Sequence, residues 1–313
     1  MDSNFFVITN CTGRKRGGHA KVSLDGAYLR GTLASVAGDW VSKLSRHRVL
    51  ISTADAYYGG RAFQDARHVA DNLSAPLGVV SAGLGLIWSD EAIPAYDLTI
   101  SAGTSSVGPY LRENGLTTPD WWEALNAARG TTRPIDNLLL VHPASMLLLA
   151  LPSPYLKMVA TELETLPQSQ LQRIRIFSST SGTQHLSQRV KAQVMPYDLR
   201  LEATRFAGTQ SDFPQRAMRH FVDELGGHEL SLSESIRKVA ASMHPLQVRT
   251  PPVRQRLTDD EIMSMLKAQW NRHDGAGGRL LRHLRDEALV ACEQSRFKIL
   301  WRRVQAELSE VQS

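Results

Sequence analysis

Short apolar runs alternate with longer amphipathic segments between residues 5 and 177 of the chain. The apolar runs have the length of buried strands, and we expect strands at residues 5–9, 48–52, 77–81, 138–141 and 173–177. The segments between them repeat their apolar residues with helical spacing, at residues 27–44, 60–73, 121–128, 144–151 and 154–163. Apolar strands separated by helices are typical of parallel sheets. The pattern therefore predicts an α/β fold with a doubly wound, mainly parallel sheet.

A proline-rich segment separates this region from a shorter, helical one. Pro251 and Pro252 resist helix and strand alike, whereas Thr258 and Glu261 form the capping-box pattern that begins a helix. We expect an α/β domain over residues 1–248, a linker over 249–256 and a helical domain over 257–313. Three short helices suit a helix-turn-helix or winged-helix module, or equally a plain helical cap on the sheet.

The charge of the chain is mildly basic and unevenly distributed. Among the 313 residues, 36 Lys and Arg stand against 31 Asp and Glu, a formal net charge of +5. Residues 1–54 hold eight Lys and Arg against three Asp, so this segment carries the whole excess. Residues 254–313 hold 11 basic and 9 acidic side chains, which leaves the role of the helical region open. The excess permits a polyanionic partner such as DNA without requiring one.

Cysteine usage and hydropathy narrow the possible classes of protein. Cys11 and Cys292 lie almost the whole chain apart, with no Cys-x-x-Cys or His/Cys cluster, so neither a disulfide framework nor a zinc site is expected. The most apolar stretch, residues 138–151, is interrupted by polar residues and is too short to span a bilayer. No export signal is expected either. We expect a cytoplasmic protein that needs no metal, cofactor, membrane or obligate protein partner.

Polar residues follow several predicted strands, and ligands of parallel sheets bind where the carboxyl ends of the strands meet. The candidates for handling water, a proton or a developing charge are Asn10, Asp55, Asp97 and His142. The candidates for holding a flat base are the aromatic and small residues Tyr57, Tyr58, Gly59, Ser81 and Tyr96. The candidates for contacting DNA phosphates are the cations and hydroxyls Arg14, Lys15, Arg16, Ser179 and Thr180.

Each cluster also has a plain structural interpretation. Three consecutive cations are common in an exposed turn, and Asp55 is well placed to cap the helix that follows it, with its tyrosine neighbours as packing. A lone histidine such as His142 is more often structural than catalytic. The pair Gly83 and Gly85 lacks the third glycine of a dinucleotide-binding loop, and no Gly-x-Ser-x-Gly elbow is present. Dehydrogenase and acyl-transfer chemistry are therefore disfavoured.

Three motifs together carry a resemblance to a known family. They are Cys-x-x-(basic) from Cys11, Ala-Asp-x-x-Tyr-x-Gly-x-x-Phe from Ala54, and Ser-Ala-Gly-Leu-Gly-Leu-Ile from Ser81 followed by Pro-x-Tyr-Asp. Over residues 5–200 the chain resembles YaaA-related bacterial proteins and the uracil-DNA-glycosylase-like domain of archaeosine synthases. Relatives often carry Lys-His where this chain has Gly-Leu after Ala82. The loop from His142, His-Pro-Ala-Ser, is similar to the His-Pro-Ser loop of uracil-DNA glycosylases, with an alanine interrupting the motif.

The resemblance implies a DNA glycosylase, and most specifically one of the anti-phage enzymes directed at glucosylated hydroxymethylcytosine. Such an enzyme flips a nucleotide out of the helix and hydrolyses the bond between sugar and base. Asp55, or else Asp97, would stabilise the positive charge on the sugar while Asn10 positions water and His142 assists the departing base. No lysine stands out as a Schiff-base nucleophile, so a monofunctional hydrolase that leaves an abasic site is expected.

Two other functions stay open at this point. One is a non-enzymatic nucleic-acid-binding protein, in which the α/β domain senses a nucleotide and the helices bind DNA. The other is an enzyme that exchanges bases in RNA by ribosyl transfer. The sequence leaves undecided which base is removed and which of the two carboxylates acts.

Overall fold

The computed structural model describes residues 3–16, 21–24, 29–46, 52–101, 103–248 and 253–311. The chain divides into two compact units, Met1–Arg249 and Thr250–Ser313. Each unit has an apolar core of its own, so the two are described separately.

The first unit is built on a five-stranded sheet. The strands among its described residues are β1 (Phe5–Asn10), β2 (Val22–Ser23), β3 (Ser52–Thr53), β4 (Leu77–Ser81), β5 (Gly85–Trp88), β6 (Ala92–Ile93), β7 (Tyr96–Asp97), β8 (Met146–Ala150) and β9 (Ile174–Phe177). The main sheet has the order β5-β4-β1-β8-β9, and all of its neighbours are parallel except β4 and β5. The prediction of an α/β fold with a mainly parallel sheet is confirmed.

Strand β1 occupies the centre of the sheet because its residues are apolar on both faces, as buried parallel strands require. Val7 lies opposite Leu77 of β4 on one side and opposite Leu148 of β8 on the other. The chain leaves β1 toward β4 and later crosses to β8, so the strand order reverses at this point. The carboxyl ends of β1 and β8 therefore flank the crevice in which ligands of such sheets bind.

The helices of the first unit form two packed groups. Their bounds are α1 (Leu33–Arg46), α2 (Ala54–Tyr57), α3 (Arg61–Asn72), α4 (Gly108–Glu113), α5 (Thr118–Ala128), α6 (Pro134–Val141), α7 (Ser153–Thr165), α8 (Gln168–Leu171), α9 (Thr180–Thr183), α10 (Gln188–Lys191), α11 (Phe213–Asp223) and α12 (Leu232–Met243). Helices α1, α5 and α7 pack in a row, whereas α3 and α11 pack on each other and on the strands. This arrangement is compatible with a doubly wound sheet.

The assignments of residues 138–141 and 144–151 were wrong, because helix and strand are interchanged there. Residues 138–141 end helix α6, and residues 146–150 form β8. A tertiary contact decides the difference: the Glu162 carboxylate on α7 accepts hydrogen bonds from the backbone N–H groups of Ile135 and Asp136 at the start of α6. Leu140 and Val141 stay 66% and 69% exposed, which a central strand would not allow.

The second predicted strand, residues 48–52, does not join the main sheet. Residues 48–51 lie outside the described residues, and Ser52 and Thr53 form β3, which pairs antiparallel with β6. Thr53 then caps helix α2 by accepting a hydrogen bond from the Ala56 N–H. The polar cluster after this strand is therefore not at the carboxyl end of a strand of the main sheet.

The second unit is helical. Its helices are α13 (Asp259–Gln269), α14 (Gly277–Arg282) and α15 (Gln294–Val311), with a π-helical turn at His283–Glu287. The capping box of Thr258 and Glu261 is present at the start of α13. Trp270 stacks on Trp301 with ring centroids 6.2 Å apart. Residues 249–252 of the predicted linker lie outside the described residues.

No helix within the described residues is both long and apolar enough to cross a membrane.

His220 of α11 makes the stability of the first unit depend on pH. The side chain is buried, its Nδ1 lies 2.8 Å from the Tyr197 hydroxyl, and burial lowers its pKa below the ordinary value of 6.5. The unfolded chain therefore binds a proton more readily than the folded one, and stability is lost as the pH falls below 6.5 toward the folded pKa. We expect thermal melts of the wild type to shift downward over that range.

The matched variants for this prediction are His220→Gln and His244→Gln. His244 is exposed at the end of α12, so its replacement should leave the pH dependence of Tm unchanged. His220→Gln should flatten the dependence, although burial also lowers the pKa of His185 and His228, which leaves a residual slope. An identical slope in all three proteins would contradict the assignment to His220.

Candidate functional site

A cavity of about 1090 Å³ opens at the carboxyl ends of β1, β8 and β9. This is the position at which the strand order reverses, and therefore the expected ligand site of such a sheet. The cavity is lined by the loop after β1, the start of α3, Thr99 and Ser101, the loop after β8, the loop after β9 and a polar wall formed by Asp198, Leu199, Glu202 and residues 209–214. All of these residues belong to the first unit.

The side chain of Asn10 lies on the cavity floor in a fixed orientation. Its Nδ2 donates to the carbonyl of Cys11 (2.7 Å), and its Oδ1 accepts from Nε2 of the fully buried Gln215 (2.9 Å). The same Nε2 lies 2.9 Å from the carbonyl oxygen of Ala150 at the end of β8. Gln215 thus ties β1 to β8 beneath the cavity. A carbonyl oxygen accepts two hydrogen bonds, so Asn10 Oδ1 retains a lone pair for a water molecule.

Tyr155, at the start of α7, supplies an aromatic surface that the sequence analysis did not identify. Its ring lines the cavity, and its hydroxyl lies 3.1 Å from Sγ of the buried Cys11. Burial of the hydroxyl raises the pKa of Tyr155 well above the usual range of tyrosine, so the group stays protonated at neutral pH. The segment Pro-Ser-Pro-Tyr follows directly on an apolar run, and this was the signal that could have identified it as a strand-end loop.

The three consecutive cations after β1 divide between the cavity and the core. Arg14 lines the cavity, and its side chain packs against Gly60, which has a left-handed φ of +94°. Lys15 points the opposite way: its Nζ lies 3.9 Å from the centre of the Tyr96 ring and donates to the Tyr96 carbonyl (2.7 Å), leaving the side chain 6% exposed. Lys15 pairs with Tyr58 as a β-bridge, and successive residues of an extended chain face opposite sides.

Arg16 lies beside the cavity rather than in it. Its side chain approaches Gly59, which lines the cavity together with Gly60 and Arg61. The Gly59 N–H donates to the Arg14 carbonyl at 2.8 Å, so this glycine serves close packing of the two loops. Ser179 and Thr180, after β9, line the opposite part of the cavity. The structure therefore brings Asn10, Arg14, Gly59, Ser179 and Thr180 to one cavity.

The three tyrosines that were expected to stack on a base are instead part of the core. Tyr57, Tyr58 and Tyr96 are buried, so none of them offers a ring face to a ligand. The Tyr96 hydroxyl lies 2.6 Å from both the Tyr58 hydroxyl and the Ser81 hydroxyl, and the Tyr57 hydroxyl donates to the Tyr96 carbonyl (3.0 Å). This hydrogen-bonded network satisfies polar groups that burial would otherwise leave unpaired. The spacing of these tyrosines therefore reflects their packing in the core.

The carboxylates chosen from the sequence, and His142, also lie outside the cavity lining. Asp55 is on the short helix α2 and forms an ion pair with Arg67. Asp97 is 53% exposed and lies 3.9 Å from Lys15 Nζ. His142 follows helix α6 and precedes β8, so it lies at the amino end of the sheet, where its ring contacts Phe6 at 4.8 Å between centroids. Because residues 138–141 were predicted to be a strand, His142 was expected at the carboxyl end of the sheet. They form the end of helix α6 instead.

The polar wall of the cavity supplies carboxylates that the sequence analysis missed. Asp198 accepts hydrogen bonds from the Arg200 side chain through both oxygens (2.7–3.0 Å), which lowers the pKa of Asp198 and keeps it ionised at neutral pH. Glu202 and Asp212 pair with the fully buried Arg216. Asp198 stays 37% exposed, so it is the wall carboxylate least committed to buried contacts.

No sequence signal identified this wall. It lies beyond the last strand in irregular backbone, where Arg216 holds Glu202, Asp212 and the carbonyls of Phe206 and Thr209 together. Among the described residues, no group of three or more His, Cys, Asp or Glu is arranged to hold a metal ion.

The comparisons with known proteins add nothing to these observations. No family model, no curated protein and no solved structure matches the chain. The resemblance to uracil-DNA-glycosylase-like domains therefore stays an expectation from the motifs.

Proposed function

We propose that the protein is a DNA glycosylase that hydrolyses the N-glycosidic bond of a modified base held in this cavity. The observation that supports the proposal is the position of the cavity at the reversal of strand order, with a water-binding amide (Asn10), a cation (Arg14) and an ionised carboxylate (Asp198) around one space. A glycosylase needs these groups for water, phosphate and the developing sugar cation. The fold that goes with this function is the doubly wound, uracil-DNA-glycosylase-like one.

The size and lining of the cavity favour a bulky base. Small-ligand sites usually measure about 300–1,000 Å³, and this cavity has about 1090 Å³. Thr209, Gln210 and Ser211 line its wall with hydroxyl and amide groups that suit a sugar substituent. Glucosylated hydroxymethylcytosine in phage DNA is the substrate that we propose, which would make the protein a cytoplasmic enzyme of anti-phage defence.

Anionic phosphates are favoured where helices begin. Helices α3, α7 and α11 all present their first residues to the cavity, and the N–H groups and dipole of a helix start attract negative charge. Arg14 and Arg61 lie along the same border, so the phosphates flanking a flipped nucleotide would be held there. Ser179 and Thr180 add neutral hydrogen-bond donors. In this arrangement Tyr155 offers the ring face on which the base would stack.

The chemical step follows from the same groups. A water molecule on Asn10 Oδ1 would form a bond to C1′ through its oxygen, while the C1′–N bond breaks and its electron pair goes to the base. One proton leaves the attacking water and one reaches the departing base nitrogen. Asp198 would stabilise the positive charge on the sugar and accept the proton from water. Since no lysine is found among the described residues lining the cavity, we propose a monofunctional reaction that leaves an abasic site.

The proposal is tested by incubating the full-length protein with unmodified, hydroxymethylated and glucosylated phage DNA. We expect mass spectrometry to detect free base from the glucosylated DNA, together with alkali-labile abasic sites in that strand. Tyr155→Phe should retain most of this activity because it keeps the ring, whereas Tyr155→Ala should lose it through weaker base binding. Release of no base from any of the three DNAs would contradict the proposal. Base exchange in tRNA alone would instead indicate ribosyl transfer.

A further inference from the structure

Helix α15 of the second unit exposes three cations on the side away from its buried stripe. Phe297, Leu300 and Val304 form the buried stripe of the helix. At 3.6 residues per turn, the opposite side presents Ser295, Lys298, Ile299, Arg302, Arg303, Ala306 and Ser309. We call Lys298, Arg302 and Arg303 the α15 cations.

The α15 cations are not used to hold the fold together. All three are exposed, and none of them has a hydrogen bond or ion pair with the described residues. The other cations of the same helix system differ: Arg296 pairs with Asp259, and Lys267 of α13 pairs with Glu307. Glu307 lies one turn beyond Arg303 on α15, but its carboxylate pairs with Lys267 and not with any of the three cations. This charge is therefore available to a partner.

We infer that the α15 cations form a docking surface for the phosphate backbone of duplex DNA. The rise of about 1.5 Å per residue places the three cations within roughly two turns of one face, which suits a linear polyanion. Arg and Lys at such a surface bind phosphates without reading sequence. An anionic membrane fits less well, since Ile299 is the one large apolar side chain on this face among the described residues.

The choice of DNA over other polyanions rests on the proposed function, but the binding itself does not require catalysis. A glycosylase must find rare modified bases along a long duplex, and sequence-independent phosphate contacts outside the cavity supply that affinity. The inference therefore assigns to the second unit a part in duplex binding and to the first unit the chemistry.

The test uses the full-length protein and a labelled, unmodified 20-base-pair duplex. Binding is followed by fluorescence anisotropy at several salt concentrations. Each phosphate contact contributes about 0.9 to the slope of log K against log salt, so the variant K298Q/R302Q/R303Q should lower that slope by about 2 to 3. The matched control R112Q/R237Q/K238Q removes the same charge from exposed positions of the first unit outside the cavity lining. We expect the control to change the slope by less than about 0.9, which is the contribution of one phosphate contact.

The outcomes separate this inference from the proposed function. Because the probe carries no modified base, a wild type that binds it through the α15 cations supports the inference even if no base is ever released. Equal slopes for the wild type and the α15 variant, or an equal loss in the control, would overturn it. Binding of labelled poly-glutamate, with no binding of the duplex, would also overturn the inference. The partner of the α15 cations would then be an acidic protein. Unchanged thermal melts of the α15 variant would confirm that it is folded.

Discussion

Replacement of Asp198 by Asn should lower the rate of base release from glucosylated DNA by about 10²–10⁴-fold. The carboxylate lines the cavity and is ionised at neutral pH, since hydrogen bonds from Arg200 lower its pKa. The amide keeps the size of the side chain but loses its negative charge, which removes both the stabilisation of the sugar cation and the acceptor for the water proton. Single-turnover mass spectrometry of the free base measures the effect on the chemical step.

The affinity for the substrate separates a role in chemistry from a role in binding. If Asp198 acts on the transition state, Asp198→Asn lowers the single-turnover rate while the Kd for glucosylated DNA stays close to that of the wild type. Asp55→Asn and Asp97→Asn serve as controls, because both carboxylates lie outside the cavity lining. A rate loss in either control that equals the loss in Asp198→Asn would show that the catalytic carboxylate is misassigned.

Arg216→Met should lower the free energy of unfolding by about 3–5 kcal/mol. The guanidinium is fully buried, and it donates to Asp212 Oδ1 (2.7 Å), to Glu202 Oε1 (2.8 Å) and to the carbonyls of Phe206 and Thr209 (2.6 Å each). Its removal leaves two carboxylates and two carbonyl oxygens without their shared donor. Urea denaturation followed by circular dichroism measures the loss.

A charge-neutral variant shows how much of this loss comes from unpaired charge. Arg216→Met combined with Glu202→Gln and Asp212→Asn removes the whole buried ion cluster, and we expect it to recover part of the lost stability. Arg237→Met on the exposed face of α12 is the surface control and should change stability by less than about 0.5 kcal/mol. A loss below 1 kcal/mol in Arg216→Met would contradict the role of this residue in holding the cavity wall.

The local sequence pattern was sufficient to predict the elements whose apolar residues fit only one type of secondary structure. Strands β1, β4 and β9 and helices α3, α5 and α7 lie within a few residues of their predicted positions. Short, mainly apolar runs between turn signals suit a strand in a parallel sheet, and a stripe such as Phe63, Ala66 and Val69 suits a helix packed on it. The capping box at Thr258 is a purely local interaction and was predicted for the same reason.

Short apolar segments next to each other are ambiguous, and residues 134–151 show why. Both halves of this stretch are apolar enough for either structure, and periodicity alone does not separate them. The carboxylate of Glu162 caps the first half as a helix, while pairing with β1 and β9 makes the second half a strand. Both interactions come from residues distant in the sequence. As a consequence, His142 lies at the amino end of the sheet and not at the carboxyl end, where it was predicted.

The sequence by itself determined that an α/β sheet would present polar residues after its strands, and four of these candidates, Asn10, Arg14, Ser179 and Thr180, line one cavity. Only the tertiary structure decided which of the other candidate side chains face the core and not the cavity. Tyr96 and Lys15 face the core because an extended chain alternates its side chains, and which side is buried depends on what packs there. The wall that carries Asp198 is held by Arg216, which binds carboxylates and carbonyls from the preceding 14 residues, and no apolar periodicity marks this irregular segment as part of a cavity.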